Sequence, residues 1–134
     1  MYHPATGTNA STIDALLRLH NRNRGDQGVP PLKINNKLSA AAQAYAEFLA
    51  NSGKFGHTIK GTPGSRAKAQ GYHYHAIGEN IAAGQPSPKV VVNGWMHSKG
   101  HRENILRKAF KEVGFGVAKT RGGRLLWVTD FGSK

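Results

Sequence analysis

The stretch VGFGVAKTRGGRLLWVTDF, residues 113–131, indicates the fold more directly than any other part of the sequence. Bulky apolar residues at every second position from 113 to 117 alternate with glycines, which is the two-residue period of a β-strand. Turn residues at positions 120–123 separate this run from RLLWVTDF, a β-rich run that carries Trp127 and Phe131 on one face. The stretch therefore predicts a β-hairpin.

Helical patterns occupy the chain before this hairpin. NNKLSAAAQAYAEFLANSG, residues 35–53, has one apolar face at helical spacing, and SPKVVVNGWMHS, residues 87–98, has another. A first helix is expected to end near Gly25, and HRENIL predicts a short helix after Gly100. The candidate caps are Ser11 or Thr12, Asn35 or Asn36, and Ser87. Helices followed by a terminal hairpin predict the α+β class, with an antiparallel sheet covered by helices.

The segment between these helices, residues 54–75, has no sustained period and is rich in Gly, Lys, His and Tyr. It predicts a long surface loop with one short turn near residues 66–70, and a loop of that length is uncommon unless it is functional. His73 and His75 lie in this segment and are expected to face solvent.

The length of 134 residues is that of one ordinary domain. We expect a flexible arm at residues 1–10, a single domain at residues 11–134, and a monomer. Apolar runs are far shorter than the roughly 20 residues of a membrane span, and the first residues lack the basic and apolar regions of a signal peptide. Because there is no cysteine, disulfides, thiolate metal sites and cysteine nucleophiles are excluded.

The charge points to an anionic partner. With 19 Lys and Arg against 7 Asp and Glu, the formal net charge is +12, which attracts nucleic acid, acidic envelope polymers and lipid headgroups. The basic residues are spread along the chain without the interleaved aromatic residues of a base-stacking surface. Sequence-specific nucleic-acid binding is therefore not expected.

Four polar residues are candidates for chemistry: His57, Glu79, His97 and His101. Histidine can bind zinc or relay protons near neutral pH, and a carboxylate beside it fixes its tautomer. His97 and His101 have the i, i+4 spacing of some zinc sites, but Gly100 between them disfavours one continuous helix. Glu79, flanked by Gly78 and Asn80, can equally be a turn residue that accepts backbone hydrogen bonds.

Several motifs occur together and in order. They are LLRLHNRNRGDQGVPPLKINNKLSAAAQAYAEFLANSGKFGHT, GYHYHAIGENIAAG, VVVNGWMHSKGHRENIL, and KEVGFGVAK followed by LWVTDFG. Over about residues 11–132 this pattern resembles the CAP superfamily, the SCP-like domain of cysteine-rich secretory, antigen 5 and pathogenesis-related 1 proteins, in its bacterial cysteine-free branch. The resemblance implies an α-β-α sandwich, a small antiparallel sheet flanked by helices on both faces.

The resemblance also implies a cleft with two histidines and one or two glutamates. By motif, His57 and His101 match the two histidines and Glu79 matches the glutamate of the GEN motif. Where eukaryotic members carry a further glutamate, three residues after the helix tryptophan, this chain has Ser98, with His97 beside it. Two histidines and one carboxylate still suit a divalent ion, so zinc at His57 and His101 is the candidate cofactor.

Three hypotheses for function follow. The first is a secreted or cell-envelope module that binds an anionic envelope polymer or lipid in the cleft, since the family implies an extracellular location. The second is a metal-assisted hydrolase or peptidase with Glu79 as general base. The third is that the polar cluster only holds the loop after Gly53 against the sheet, so enzymatic activity stays an open question.

Overall fold

The structure, a computed structural model, describes residues 8–134. Residues 1–7, most of the predicted arm, lie outside the described residues. The first helix begins at Thr8, so the predicted caps at Ser11 and Thr12 lie inside it. The elements in chain order are α1 Thr8–Asp26, β1 Lys33–Ile34, α2 Asn36–Ser52, α3 Pro63–Ala69, β2 Ala76–Ala83, α4 Pro88–Met96, α5 Lys99–Leu106, β3 Glu112–Lys119 and β4 Leu125–Ser133.

Local chemistry explains the ends of the best predicted helices. The side chain of Asn35 accepts hydrogen bonds from the first backbone amides of α2, and Gly53 ends α2 in the left-handed conformation at φ 71°. Ser87 caps α4 in the same way, and Pro88 occupies its first turn. These caps agree with the sequence prediction.

The four strands form one sheet in the order β1-β3-β4-β2. The predicted hairpin is confirmed, since β3 and β4 pair antiparallel with Val113 opposite Phe131. The sheet is mixed rather than purely antiparallel, because the two-residue strand β1 pairs parallel with β3. β2 pairs antiparallel with β4 at the opposite edge of the sheet.

Helices cover both faces of this sheet, which confirms the α-β-α sandwich. One core lies under α1, α4 and α5 and includes Trp95, Phe115, Trp127 and Phe131. The other core lies under α2 and is built from Tyr45, smaller residues of the same helix, and apolar residues of β2 and β4. Among residues 8–134, no helix combines the length and apolar character needed to cross a bilayer.

Glycines in β3 allow α2 to lie directly on the sheet. A Cβ added at Gly114 would come within 2.1 Å of the backbone nitrogen of Ser39, and one at Gly116 within 2.2 Å of the carbonyl oxygen of Ala42. The alternation of bulky residues and glycines that predicts β3 therefore also reflects the packing of α2. The bulky residues face one core, and the glycines admit the backbone of α2 on the other side.

Two sequence expectations for the middle of the chain are wrong. The segment around Glu79 is the edge strand β2 rather than a turn. The predicted loop at residues 54–75 contains the helix α3, which begins at Pro63 after a capping box formed by Thr62 and Ser65. Both elements depend on contacts with distant parts of the chain, which periodicity does not register.

Candidate functional site

β2 presents chemically different residues to the two faces of the sheet. Successive side chains of a strand point to opposite faces. Ile81 belongs to the α2 core, so Glu79 points toward α2. Ala82 belongs to the other core, and Asn80 points toward α5, where its Nδ2 donates to the carbonyl of His101 at 3.0 Å. The predicted residues are therefore distributed on both sides of one strand.

On the α2 side, Glu79 is the centre of a buried polar cluster. Its side chain is 1% exposed, whereas that of His57 is 47% exposed. Oε1 of Glu79 lies 3.0 Å from Nδ1 of His57. An ionised carboxylate only accepts hydrogen bonds, so in the neutral imidazole this contact places the proton of His57 on Nδ1 and the lone pair on Nε2. The structure thus brings His57 and Glu79 into direct contact.

The other partner of Glu79 is Arg66, a residue that the sequence analysis does not single out. Nη2 of Arg66 donates to Oε1 and Oε2 of Glu79 at 2.9 and 2.7 Å. Nη1 donates to the carbonyls of His57, Lys60 and Gly61 at 3.0, 2.8 and 3.3 Å. The guanidinium carbon also lies 3.4 Å from the ring centroid of Tyr45. Arg66 therefore ties the loop that carries His57 to the edge strand.

A second buried acid, Asp130, adjoins this cluster. Asp130 is the cross-strand neighbour of Glu79 and is 1% exposed. Its two oxygens have no donor among the described residues. Burial, then the charge of Glu79 and a hydrogen bond to Glu79, raise the pKa of Asp130 well above its usual value, although Arg66 opposes the shift. The buried oxygens without a donor and the raised pKa both favour a protonated Asp130.

On the α5 side, β2 is held by side-chain amides rather than by charged groups. Nδ2 of Asn104 donates to Oδ1 of Asn80 at 2.9 Å and to the carbonyl of Glu79 at 3.2 Å. Nδ1 of His101 lies 2.9 Å from Oγ of Ser98. Burial, and then the charge of His57, lower the pKa of His101.

His97 does not join either group. It is the C-cap of α4, while His101 lies in α5, so the two histidines are not on one continuous helix. The chain breaks between Met96 and Lys99, and Gly100 lies within α5. Nδ1 of His97 donates to the carbonyl of Asn93 at 2.8 Å on the exposed surface. His73 and His75 are exposed, as expected.

Beside β2 lies a cavity of about 610 Å³, which we call the edge cavity. Its apolar lining includes Leu49, Ile81, Val91, Trp95 and Leu126, and the half-exposed ring of Phe55 lies at its border. Its polar lining includes Lys54, Gln85, Ser98, His101, Thr120 and Arg124. No aspartate or glutamate of the described chain lines the edge cavity. His57, Glu79 and Arg66 are not part of its lining.

The chemistry of the donor set tests whether zinc fits these residues. His57 and His101 each have Nδ1 in a hydrogen bond, which is how zinc-binding histidines are usually oriented. Both carboxylate oxygens of Glu79, however, accept from Arg66. Within residues 8–134 there is no group of three His, Cys, Asp or Glu side chains able to hold a metal ion. The residues therefore do not fit a zinc site that uses Glu79.

Two members of the buried cluster, Arg66 and Asp130, are missed by the sequence analysis. The signal for Asp130 is its position, since an acid in a strand with Trp127 and Phe131 on one face must point to the other face with Val128. Arg66 gives no such signal, because it is one cation among many in an irregular segment.

Comparisons with known proteins agree with this fold. The model of CAP, the cysteine-rich secretory protein family, matches residues 17–131. YkwD of Bacillus subtilis, described as uncharacterized, is 36% identical over 118 residues, which cover 87% of this chain and 45% of YkwD. The chain thus spans less than half the length of that relative.

Two solved structures are similar in fold. An outer surface protein of Borrelia burgdorferi has a TM-score of 0.88 at 24% identity, with 100% of this chain and 99% of that chain covered. NaASP2, whose crystal structure contains Zn²⁺, has a TM-score of 0.71 at 12% identity, with 98% of this chain and 84% of that chain covered. At these identities the likeness concerns the fold alone.

Proposed function

The chain belongs to the CAP family, and from that premise we propose that it binds an anionic amphiphile, such as a lipid with an acidic headgroup, in the edge cavity. The observation that carries the proposal is the composition of the lining, which combines apolar residues, called the walls, with the exposed cations Lys54 and Arg124, called the border, and has no acid among the described residues. Concave, mostly apolar sites with a few polar groups are the usual form of small-molecule sites. The formal net charge of +12 further attracts an anionic ligand.

The walls and the border would have separate roles. Leu49, Ile81 and Leu126 offer apolar surface to an acyl chain, because burying such surface removes it from water. Lys54 and Arg124, both exposed, would pair with a headgroup. His101 adds a donor or acceptor at the same cavity. A purely ionic polymer would use the border alone, and for this reason we favour the amphiphile.

Binding of lysophosphatidate and of the uncharged monoacylglycerol with the same acyl chain tests this proposal. Both are used below their micelle concentrations, in calorimetric titrations of the whole chain. We expect saturable binding of lysophosphatidate only. The double reversal Lys54→Glu, Arg124→Glu should weaken it by at least about tenfold, and Phe55→Ala by roughly threefold, since a charge pair and part of an apolar contact are lost.

The control is Lys33→Glu, Lys37→Glu, which changes the net charge equally with exposed residues of β1 and the first turn of α2. It should leave affinity nearly unchanged. Equal weakening in both double variants would mean that overall charge drives binding and the edge cavity does not. Binding of inorganic polyphosphate without binding of lysophosphatidate would favour the envelope polymer instead.

We also propose that the protein works outside the cytoplasm. The support is the description of the family as secretory and of the similar Borrelia burgdorferi protein as an outer surface protein. Fractionation of cells that express the natural gene product should recover it from the envelope or the medium. Recovery from the cytoplasm alone would refute this location.

A metal-assisted hydrolase with Glu79 as general base stays the second hypothesis. For it, the lone pair on Nε2 of His57 is available on an exposed side chain. Against it, Glu79 is buried and both of its oxygens accept from Arg66, which hinders either oxygen from taking a proton from water. Glu79→Gln should abolish any zinc-dependent peptide or ester hydrolysis that is found, and unchanged turnover would exclude the role.

A further inference from the structure

We infer that Arg66 is a built-in cation that occupies the place of a metal ion at Glu79, so that the cleft residues of this chain hold zinc weakly unless Arg66 is removed. Arg66, Glu79 and His57 lie outside the lining of the edge cavity, whereas His101 is part of it, and the inference does not rest on the amphiphile proposal. It makes Arg66 the residue that determines which cation the cluster accepts.

Arg66 already occupies the carboxylate of Glu79. The Nη2 atom of Arg66 contacts both carboxylate oxygens, and the Glu79 side chain is 1% exposed. Oε1 of Glu79 also contacts Nδ1 of His57. A metal ion would have to displace the guanidinium to reach these oxygens, because each of them is already engaged and almost completely buried.

Charge also opposes a metal ion at Glu79. Arg66 carries one positive charge and balances the single charge of Glu79. The ion pair is therefore neutral without a metal. A divalent ion placed between His57 and His101 would lie beside a fixed guanidinium in a partly buried site, where like charges repel strongly.

Arg66 is also anchored on several sides. Its other terminal nitrogen donates to three loop carbonyls, and its guanidinium lies over the ring of Tyr45. Moving the guanidinium aside would break these contacts together with the ion pair. A metal ion must therefore overcome the whole set of interactions.

The test is calorimetric titration of zinc into the wild-type chain and into Arg66→Gln, which keeps hydrogen-bonding capacity but removes the charge. Cobalt absorption spectra serve as a second readout, because they report coordination directly. We expect no saturable site in the wild type at micromolar zinc. We expect one site in Arg66→Gln, tighter by roughly 10- to 100-fold, the range by which outer-shell groups alter metal affinity.

Two further variants make the result specific. Arg66→Gln combined with His101→Ala should lose the new site, while Arg66→Lys, which keeps the charge, should gain none. A folded Arg66→Gln that gains no zinc affinity would overturn the inference, as would an equal gain in Arg66→Lys. If Arg66→Gln does not fold, the wild type alone decides, since a saturable zinc site that is lost in His57→Ala, His101→Ala would overturn the inference.

Discussion

Two arginines, one buried and one partly buried, hold two different regions of this molecule, and they do so with different partners. Arg24 is 0% exposed and donates to the carbonyls of Pro30, Ile105, Arg107 and Phe110. Its hydrogen bonds thus go to neutral carbonyls, and burial lowers its pKa. Arg66 also donates to loop carbonyls, but its Nη2 donates to the carboxylate of Glu79.

The difference in partners distinguishes an arginine that stabilises the fold from an arginine in a candidate functional site. Arg24 joins the end of α1 to Pro30 and to residues 105–110. The carbonyls that it contacts cannot change protonation state. Around Arg66, the same kind of side chain is surrounded by groups that titrate: His57, Glu79 and Asp130. Clusters of interacting titratable groups are more typical of functional sites than of structural ones. Each region should therefore respond differently to mutation and to pH.

The largest effect is expected when Arg24 is replaced. Arg24→Met removes a donor from four carbonyls, of which those of Ile105 and Phe110 are in buried hydrogen bonds, and each buried loss costs about 1–3 kcal/mol. The free energy of unfolding, measured by urea denaturation, should fall by at least about 4 kcal/mol at every pH between 5 and 8, because carbonyls do not titrate in this range. A loss below about 1 kcal/mol would mean that water replaces the guanidinium there.

Arg66→Met should cost about 3 kcal/mol at neutral pH, because it leaves the buried carboxylate of Glu79 without its cation. The same denaturation series at pH 7 measures this cost. A cost below about 1 kcal/mol would mean that the contact with His57 is enough to satisfy the buried carboxylate.

His20, on the Arg24 side of the sheet, adds a titratable group to the comparison. Its Nδ1 donates to the carbonyl of Leu16 at 2.7 Å, Nε2 has no partner among the described residues, and burial lowers its pKa from 6.5 to about 4. The unfolded chain therefore binds this proton more readily. Stability is full above pH 6.5 and should fall by about 3 kcal/mol as the pH drops to 4. His20→Leu should lose that part of the slope, and an unchanged slope would contradict the assignment.

Asp130→Asn should give the smallest effect and the opposite sign. The raised pKa of Asp130 means that its stabilising, protonated form is complete in acid and is lost as the pH rises. An asparagine keeps a donor toward Glu79 without the acid, so the variant should be about 1 kcal/mol more stable at pH 7 and equal to the wild type near pH 4. Destabilisation at pH 7 would mean that Asp130 is ionised and pairs with Arg66.

The parts of the fold that the sequence predicts are those with local causes. The hairpin, α2 and α4 follow from periodicity, from caps such as Asn35 and Ser87, and from the stop at Gly53. β2 is missed because Glu79 and Asn80, both buried, interrupt its apolar pattern. Their burial depends on Arg66 and Asn104, which lie 13 and 24 positions away along the chain.

The candidate site, like the fold, could be predicted from the sequence only in part. His57, Glu79 and His101 can be located from the motifs, because the resemblance carries their positions. Which groups contact one another cannot be predicted, since the partner of Glu79 comes from a helix inside a segment without periodicity. The motifs therefore indicate where the site is, whereas the contacts of Arg66 determine the charge of the site.

The most direct test of ligand binding in the edge cavity is the mapping of backbone amide shifts by NMR during titration with lysophosphatidate. We predict that the largest changes occur at residues 53–55, 81–83, 98–101 and 124. Changes concentrated instead between α1 and α4, around Leu19, Val90 and Met96, would contradict the account, because a second groove of about 420 Å³ lies there. The absence of any localised change would contradict it equally.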